Sequence, residues 1–204
     1  MKDLEILKFF PEPIFKYRVG NYEELNNELI EYIYKLHDGD REGIKRSNQG
    51  GWHSENFRLA DENSIQKKFA ITMQKYILNT FQNMGWKIKD KNIRIKEMWA
   101  IINKKDNFNI SHIHPNCFLS AAYYVKAPKD CGNIHFYEPN EVKKFHRPPV
   151  EKLTELSSSG FSIKPEEGNL LIFPSYLYHD VGKSLSEDDR IVISFNVSIL
   201  PNKN

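Results

Sequence analysis

Two periods divide the chain. Up to about Gly85 most apolar positions recur at helical spacing, and from Asn92 onward they recur every second residue. The segment PIFKYRV (13–19) alternates and predicts a strand. NYEELNNELIEYIYKLH (21–37) then sets Leu25, Leu29, Ile33 and Leu36 on one helical face, with Asn21 as the expected N-cap and Glu24 three residues after it. Residues 38–62 are rich in Asp, Gly, Asn and Ser, include NQGGWHS, and predict a long loop of the kind that more often carries function than not. A second helix is expected from Ser64 to Met84, with Ile65, Phe69, Met73, Tyr76, Ile77, Phe81 and Met84 at helical spacing and Gly85 as its stop.

The second period predicts short strands at NIRIKEMWAII (92–102), LSAAYYV (119–125), NIHFYE (133–138), FSIK (161–164), NLLIF (169–173) and RIVISFNVSIL (190–200), separated by Gly, Pro, Asn and Asp. Helices first and many strands afterwards imply a mainly β protein with N-terminal helices (α+β), an antiparallel sandwich or barrel with the helices on one face. No internal repeat or linker divides residues 1–204, so a single domain is expected. SSSG (157–160) reads as a loop, with the charged, proline-containing segment 139–156 leading into it.

Composition narrows the function classes. With 40% apolar and 13% aromatic residues the chain can bury a core. Its 29 basic and 27 acidic residues leave a net charge of +2 and form no long basic stripe, so charge does not favour nucleic acid. Cys117 and Cys131 are too few for a disulfide framework or a thiolate zinc site, and a reducing, cytoplasmic setting is expected. MKDLEILKFFPEP lacks the uninterrupted apolar stretch of a signal peptide, and no run approaches membrane-spanning length.

Candidate chemistry centres on SHIHP. Of seven histidines, His37 at a helix end and His146 in a polar loop read as structural or solvated, and His53 beside Trp52 as a packing or pocket residue. His112 and His114 differ, because positions two apart in an extended segment share a face and can reach one ion. FPSYLYHDVGKS supplies His179, and Arg190 opens the last strand. This order fits iron and 2-oxoglutarate chemistry, in which two histidines and usually a carboxylate hold Fe(II) while an arginine binds the co-substrate's distal carboxylate. An isolated Arg190 would instead pair with the acidic EDD before it.

These residues occur within the blocks LKFFPEPIFKY, GGWHS, MWAIINKKDNFNISHIHPNCFLSAAYYV, GNIHFYEP, GNLLIFPSYLYHDV and RIVISFN. In that order they resemble the 2-oxoglutarate and Fe(II)-dependent oxygenase superfamily, and within it a family found in marine phages and bacteria. The resemblance implies a double-stranded β-helix, or jelly roll, over residues 91–204, buttressed by helices in residues 1–90. It also implies Fe(II), 2-oxoglutarate and O2 as cofactors, and a cytoplasmic location, that of the host if phage-encoded. His112 resembles the first metal ligand, His179 the distal ligand and Arg190 the carboxylate-binding residue. No catalytic residue beyond the metal ligands is implied. Tyr124 resembles the strand tyrosine that hydrogen-bonds 2-oxoglutarate, or it is a core aromatic.

Two departures stand out. The serine common two residues after the arginine is Val192 here, and Ser194 and Asn196, on the same face, are the polar contacts expected instead. His114 stands where the superfamily has Asp or Glu. It is a direct third ligand, or a residue set back behind a water, or its place is taken by Asp180 or Glu138; Pro115 favours the first by holding His114 extended. Trp99, Asn103 and Asn109 are candidates for the pocket mouth, and His135 is not expected to bind metal. The pocket is expected between the 38–62 loop, the 139–160 segment and the turn at Cys117. Its substrate is a small molecule, a peptide or a nucleotide, oxidised by default through hydroxylation. The competing functions are a cupin-like three-histidine enzyme without 2-oxoglutarate and a non-catalytic jelly-roll binding module.

Overall fold

The change of period at Asn92 is also a change of architecture. The computed structural model describes residues 4–87 and 92–200, so the expected boundary at 90/91 lies outside the described residues. In chain order these form β1 (Phe15–Arg18), α1 (Tyr22–Gly39), β2 (Asn48–Gln49), β3 (Trp52–His53), α2 (Ile65–Asn83), β4 (Asn92–Asn103), β5 (Phe108–His112), β6 (Leu119–Lys126), β7 (Ile134–Tyr137), α3 (Glu141–Phe145), β8 (Gly160–Ile163), β9 (Asn169–Pro174), β10 (His179–Val181) and β11 (Arg190–Leu200). One antiparallel sheet runs β1-β9-β6-β11-β4-β3 and the other β2-β5-β10-β7-β8. From β4 onward the chain passes back and forth between the two, which is the winding of a double-stranded β-helix. The two sheets stay separate as a sandwich, so the alternative of a closed barrel is not realised.

Alternation sorts the residues of the larger sheet. Leu119, Ala121, Tyr123 and Val125 of β6, and Ile191, Ile193, Phe195 and Val197 of β11, join one buried cluster with Leu25, Leu29 and Ile33 of α1 and Phe69, Met73, Ile77 and Phe81 of α2. The helices therefore cover the outer face. Phe69 is fully buried, with ring centroids 5.1 Å from Tyr123 and 6.3 Å from Phe195. Phe69→Ala should lower the unfolding free energy by about 3–5 kcal/mol, read as a lower urea midpoint at an unchanged slope. Buried Asn26 adds a polar tie, donating to the Val125 carbonyl (2.8 Å) and accepting from the Tyr123 hydroxyl (2.6 Å).

Helix ends follow local chemistry, with one correction. Asn21 precedes α1 in the left-handed region (φ 52°) and makes no side-chain cap. The tight passage from β1 needs that conformation, which asparagine tolerates. Ser64 does cap α2, accepting from the Lys67 amide at 3.4 Å. Gly85 stops α2 as expected: with φ +67° it lets its own amide reach the Gln82 carbonyl and the Trp86 amide reach that of Phe81, while Trp86 packs on Phe81 at 5.1 Å.

Two stretches expected as loops contain regular structure. Residues 38–62 hold β2 and β3, which pair with β5 and β4 and so tie this stretch to both sheets. Segment 139–156 begins with α3, capped by the Asn140 side chain on the Val142 and Lys143 amides. Among the described residues no helix is long and apolar enough to cross a membrane, and both cysteines are free.

Candidate active site

The inner face of the larger sheet carries the other half of each strand. Ser120, Ala122 and Tyr124 of β6, Glu97, Trp99 and Ile101 of β4, and Arg190, Val192, Ser194 and Asn196 of β11 alternate with the helix-facing residues. With β5 and β10 opposite, many of them line a cavity of about 550 Å³ that also takes in His112, His114 and His179.

The three histidines converge by pairing. His112 ends β5 and His179 begins β10, and the two are direct partners in the antiparallel register, with ring centroids 4.3 Å apart. His114 lies beyond the strand end, held by its amide bonding the Ser175 carbonyl at 2.9 Å. Their ligand nitrogens all lie within 4.8 Å of one another, and His114 Nε2 is 3.3 Å from His179 Nε2. His112 Nδ1 bonds the Ile110 carbonyl (2.7 Å) and His179 Nδ1 the Leu177 carbonyl (2.9 Å), so each keeps its Nε2 lone pair for the shared point. Burial beside the apolar rings of Phe173 and Phe136 lowers the His179 pKa to about 3, and burial with His112 close by lowers that of His114 to about 4. His112 moves in the same direction for the same reason. Three neutral imidazoles aimed at one point suit a divalent transition metal.

No carboxylate joins that group among the described residues. Asp180 faces the far side of the smaller sheet, where His135 Nδ1 donates to it at 2.7 Å and the Tyr137 hydroxyl also bonds it. Glu138 accepts from the Asn140 amide and pairs with Lys143 at 3.1 Å. His135 lies outside the histidine group.

Arg190 occupies one end of the cavity with only 3% of its surface exposed. The acidic residues before it are engaged elsewhere: Asp189 accepts from Tyr34 at 2.9 Å, Asp188 lies 3.9 Å from Lys126, and Glu187 pairs with Lys105. Among the described residues its partners are the Cys131 and Gly132 carbonyls, at 3.5 and 3.4 Å, and its Nε has none. Gly132 (φ +86°) lets this turn come close, since a Cβ there would stand 2.1 Å from the Gly182 carbonyl. A buried guanidinium without an anion is an open electrostatic demand. Tyr124, 3% exposed, flanks it and has no hydroxyl partner among the described residues; burial raises its pKa.

The other end of the cavity is polar, and of Glu97 and Asn196 there sequence reasoning assigned only Asn196, as a contact to the co-substrate. Asn196 accepts from the Ser120 hydroxyl and donates to Glu97, each at 2.9 Å. Trp99 stacks on His53 (5.4 Å, 9°) and lies against His114 (5.7 Å). His53 is therefore both a packing and a pocket residue, and burial lowers its pKa. The parity of Glu97 with Trp99 on β4 was the available signal for this wall. Asn109 lines the cavity, and Asn103 supports it from behind by donating to Asn109 at 3.1 Å. The 38–62 segment contributes Ile44, Arg46 and Ser47, and the turn before Cys117 contributes Pro115 and Asn116. The expected wall from 139–160 is absent, because that excursion joins β7 to the edge strand β8 and stays largely exposed.

Residues 97–196 match the profile of the family described as "Putative 2OG-Fe(II) oxygenase". No curated protein matches the chain in sequence. Among solved structures it is similar to a prolyl-4-hydroxylase from Pseudomonas putida, with 13% identity, coverage of 93% of this chain and 94% of that one, and a TM-score of 0.65. A prolyl hydroxylase from Trichoplax adhaerens in complex with a hypoxia inducible factor peptide fragment gives 14%, 91%, 83% and 0.63. HygX from Streptomyces hygroscopicus with nickel, 2-oxoglutarate and hygromycin B bound gives 11%, 94%, 84% and 0.62. At such identities the likeness establishes the double-stranded β-helix.

Proposed function

We propose that this chain, residues 1–204 acting as one domain, is a 2-oxoglutarate-dependent hydroxylase whose substrate enters the cavity between the sheets, a reading supported by the match of residues 97–196 to the 2OG-Fe(II) oxygenase family. His112, His114 and His179 hold the iron, His114 as a direct ligand in place of the usual carboxylate. Arg190 binds the far carboxylate of 2-oxoglutarate, and Tyr124 donates a hydrogen bond to it. Iron with bound 2-oxoglutarate and O2 supplies oxidative decarboxylation to succinate and carbon dioxide, coupled to oxidation of a substrate C–H bond.

The observation that carries this reading is the buried guanidinium without an anion in the same cavity as three neutral imidazoles. A dicarboxylate meets both demands, one end at the metal and the other at Arg190. A cupin-like enzyme has no use for that arginine, and a binding module has no use for either group. Val192 removes the serine that would share the carboxylate, which leaves Tyr124 and Arg190 to hold it. Ser194, between Arg190 and Asn196 on the same face, contacts the bound co-substrate in this reading, which its position on the cavity wall supports.

The test is aerobic incubation of Fe(II)-loaded protein with 2-oxoglutarate. Succinate above a protein-free control is expected, and none would contradict the proposal. Tyr124→Phe removes one hydrogen bond to a charged group, so 2-oxoglutarate affinity should fall about tenfold, corresponding to roughly 1.5 kcal/mol. Titration calorimetry under nitrogen measures it.

A further inference from the structure

Glu97 and Arg190 lie at opposite ends of the cavity. Glu97 is the one acidic side chain lining it among the described residues, and it makes no ion pair with Arg46, Lys96 or Arg190, the cations that line the same space. The Asn196 amide fixes its Oε2 at 2.9 Å, and Asn196 is in turn fixed by the Ser120 hydroxyl, so the carboxylate is oriented without an ion pair among the described residues. In the register of β4 with β11, Glu97 pairs with Asn196 and Asn103 with Arg190, a separation of six residues or roughly 20 Å along the sheet. Two residues from Glu97 on the same face, Trp99 is 8% exposed, and its Nε1 hydrogen lacks an acceptor among the described residues. A buried indole donor without a partner, on a residue that lines the cavity, is an open hydrogen-bonding demand beside Glu97.

We infer that Glu97 recognises the substrate, and that the substrate carries an ammonium or guanidinium group with an oxygen acceptor close to it. The cation pairs with the free Glu97 oxygen, and the acceptor meets Trp99 Nε1. This rests on the oxygenase reading for the placement of 2-oxoglutarate at the Arg190 end. The negative charge at Glu97 disfavours the dianion at its own end and so helps keep the two ligands apart. Asn196, expected from sequence to touch 2-oxoglutarate, becomes the residue that orients Glu97.

The experiment is anaerobic titration calorimetry of the full chain loaded with Fe(II), first with 2-oxoglutarate and then with butylammonium, butanol or butyrate, probes of equal carbon number. Butylammonium should bind at least tenfold more tightly than the other two. Glu97→Gln should abolish that preference, Glu97→Asp should retain part of it, and Glu97→Lys should transfer it to butyrate. A merely structural role for Glu97 would not reverse the preference. If 2-oxoglutarate binds and the three probes do not differ, or if the preference survives Glu97→Gln, the inference is overturned while the oxygenase reading stands. If 2-oxoglutarate itself fails to bind, the oxygenase reading fails, and this inference with it.

Discussion

Replacing Arg190 with methionine is expected to have opposite effects on binding and on stability. Affinity for 2-oxoglutarate should fall about 100-fold, close to 3 kcal/mol, because the distal carboxylate would lose a charge-assisted partner in a site shielded from water. Fe(II) affinity should stay within a few-fold, since Arg190 is not among the three histidines that share one point. The ligand-free variant should meanwhile be more stable than the parent by about 1–3 kcal/mol. Arg190 is 3% exposed, its two hydrogen bonds are 3.4 and 3.5 Å long, and its Nε is unpartnered, so methionine of similar length relieves an unmet desolvation cost. Urea denaturation with and without 2-oxoglutarate separates the effects: the parent gains stability from the ligand by mass action, and the variant does not. Equal loss of iron and 2-oxoglutarate binding would mean that Arg190 serves the fold of the metal site instead.

His179→Ala is expected to lower Fe(II) affinity at least 100-fold and to abolish turnover. His179 is 4% exposed, fixed through Nδ1 to the Leu177 carbonyl, and packed on Phe173 at 4.8 Å, so no neighbouring donor can move into its place. The same measurement on His114 decides its role. As a direct ligand, His114→Ala should match His179→Ala, whereas loss of a residue set behind the ligands costs about 10–100-fold. His114→Asp should restore tight binding, because a carboxylate adds charge attraction that a neutral imidazole lacks. Iron titration followed by equilibrium dialysis measures each. A loss of no more than about 10–100-fold for His114→Ala, beside a larger one for His179→Ala, would place His114 behind the ion.

The sequence was legible wherever a local rule ran unopposed. The change from helical to alternating period at Asn92 separates the helices from the sheets, and the parity of Arg190, Val192, Ser194 and Asn196 is kept along β11 because a one-residue slip would turn Ile191, Ile193 and Phe195 away from the helices. The expected Asn21 cap failed because the β1–α1 turn demands a left-handed residue, a tertiary requirement that pattern does not carry. The strands at 48–49 and 52–53 were missed because their polar, glycine-flanked sequences pair with β5 and β4, which lie far along the chain. Within the site, the blocks around His112, His179 and Arg190 carried the family resemblance, but which segments wall the cavity depends on how the two sheets close. That is why 139–160 was misplaced and the Glu97–Asn196–Ser120 chain was not foreseen.

The central claim is that the three histidines and Arg190 form one site for iron and 2-oxoglutarate. Anaerobic titration of the protein with Fe(II) and then 2-oxoglutarate tests it most directly. A visible charge-transfer band should grow with 2-oxoglutarate, saturate at one equivalent per chain and be missing from His179→Ala. Tight uptake of Fe(II) with no band at any 2-oxoglutarate concentration would contradict the account.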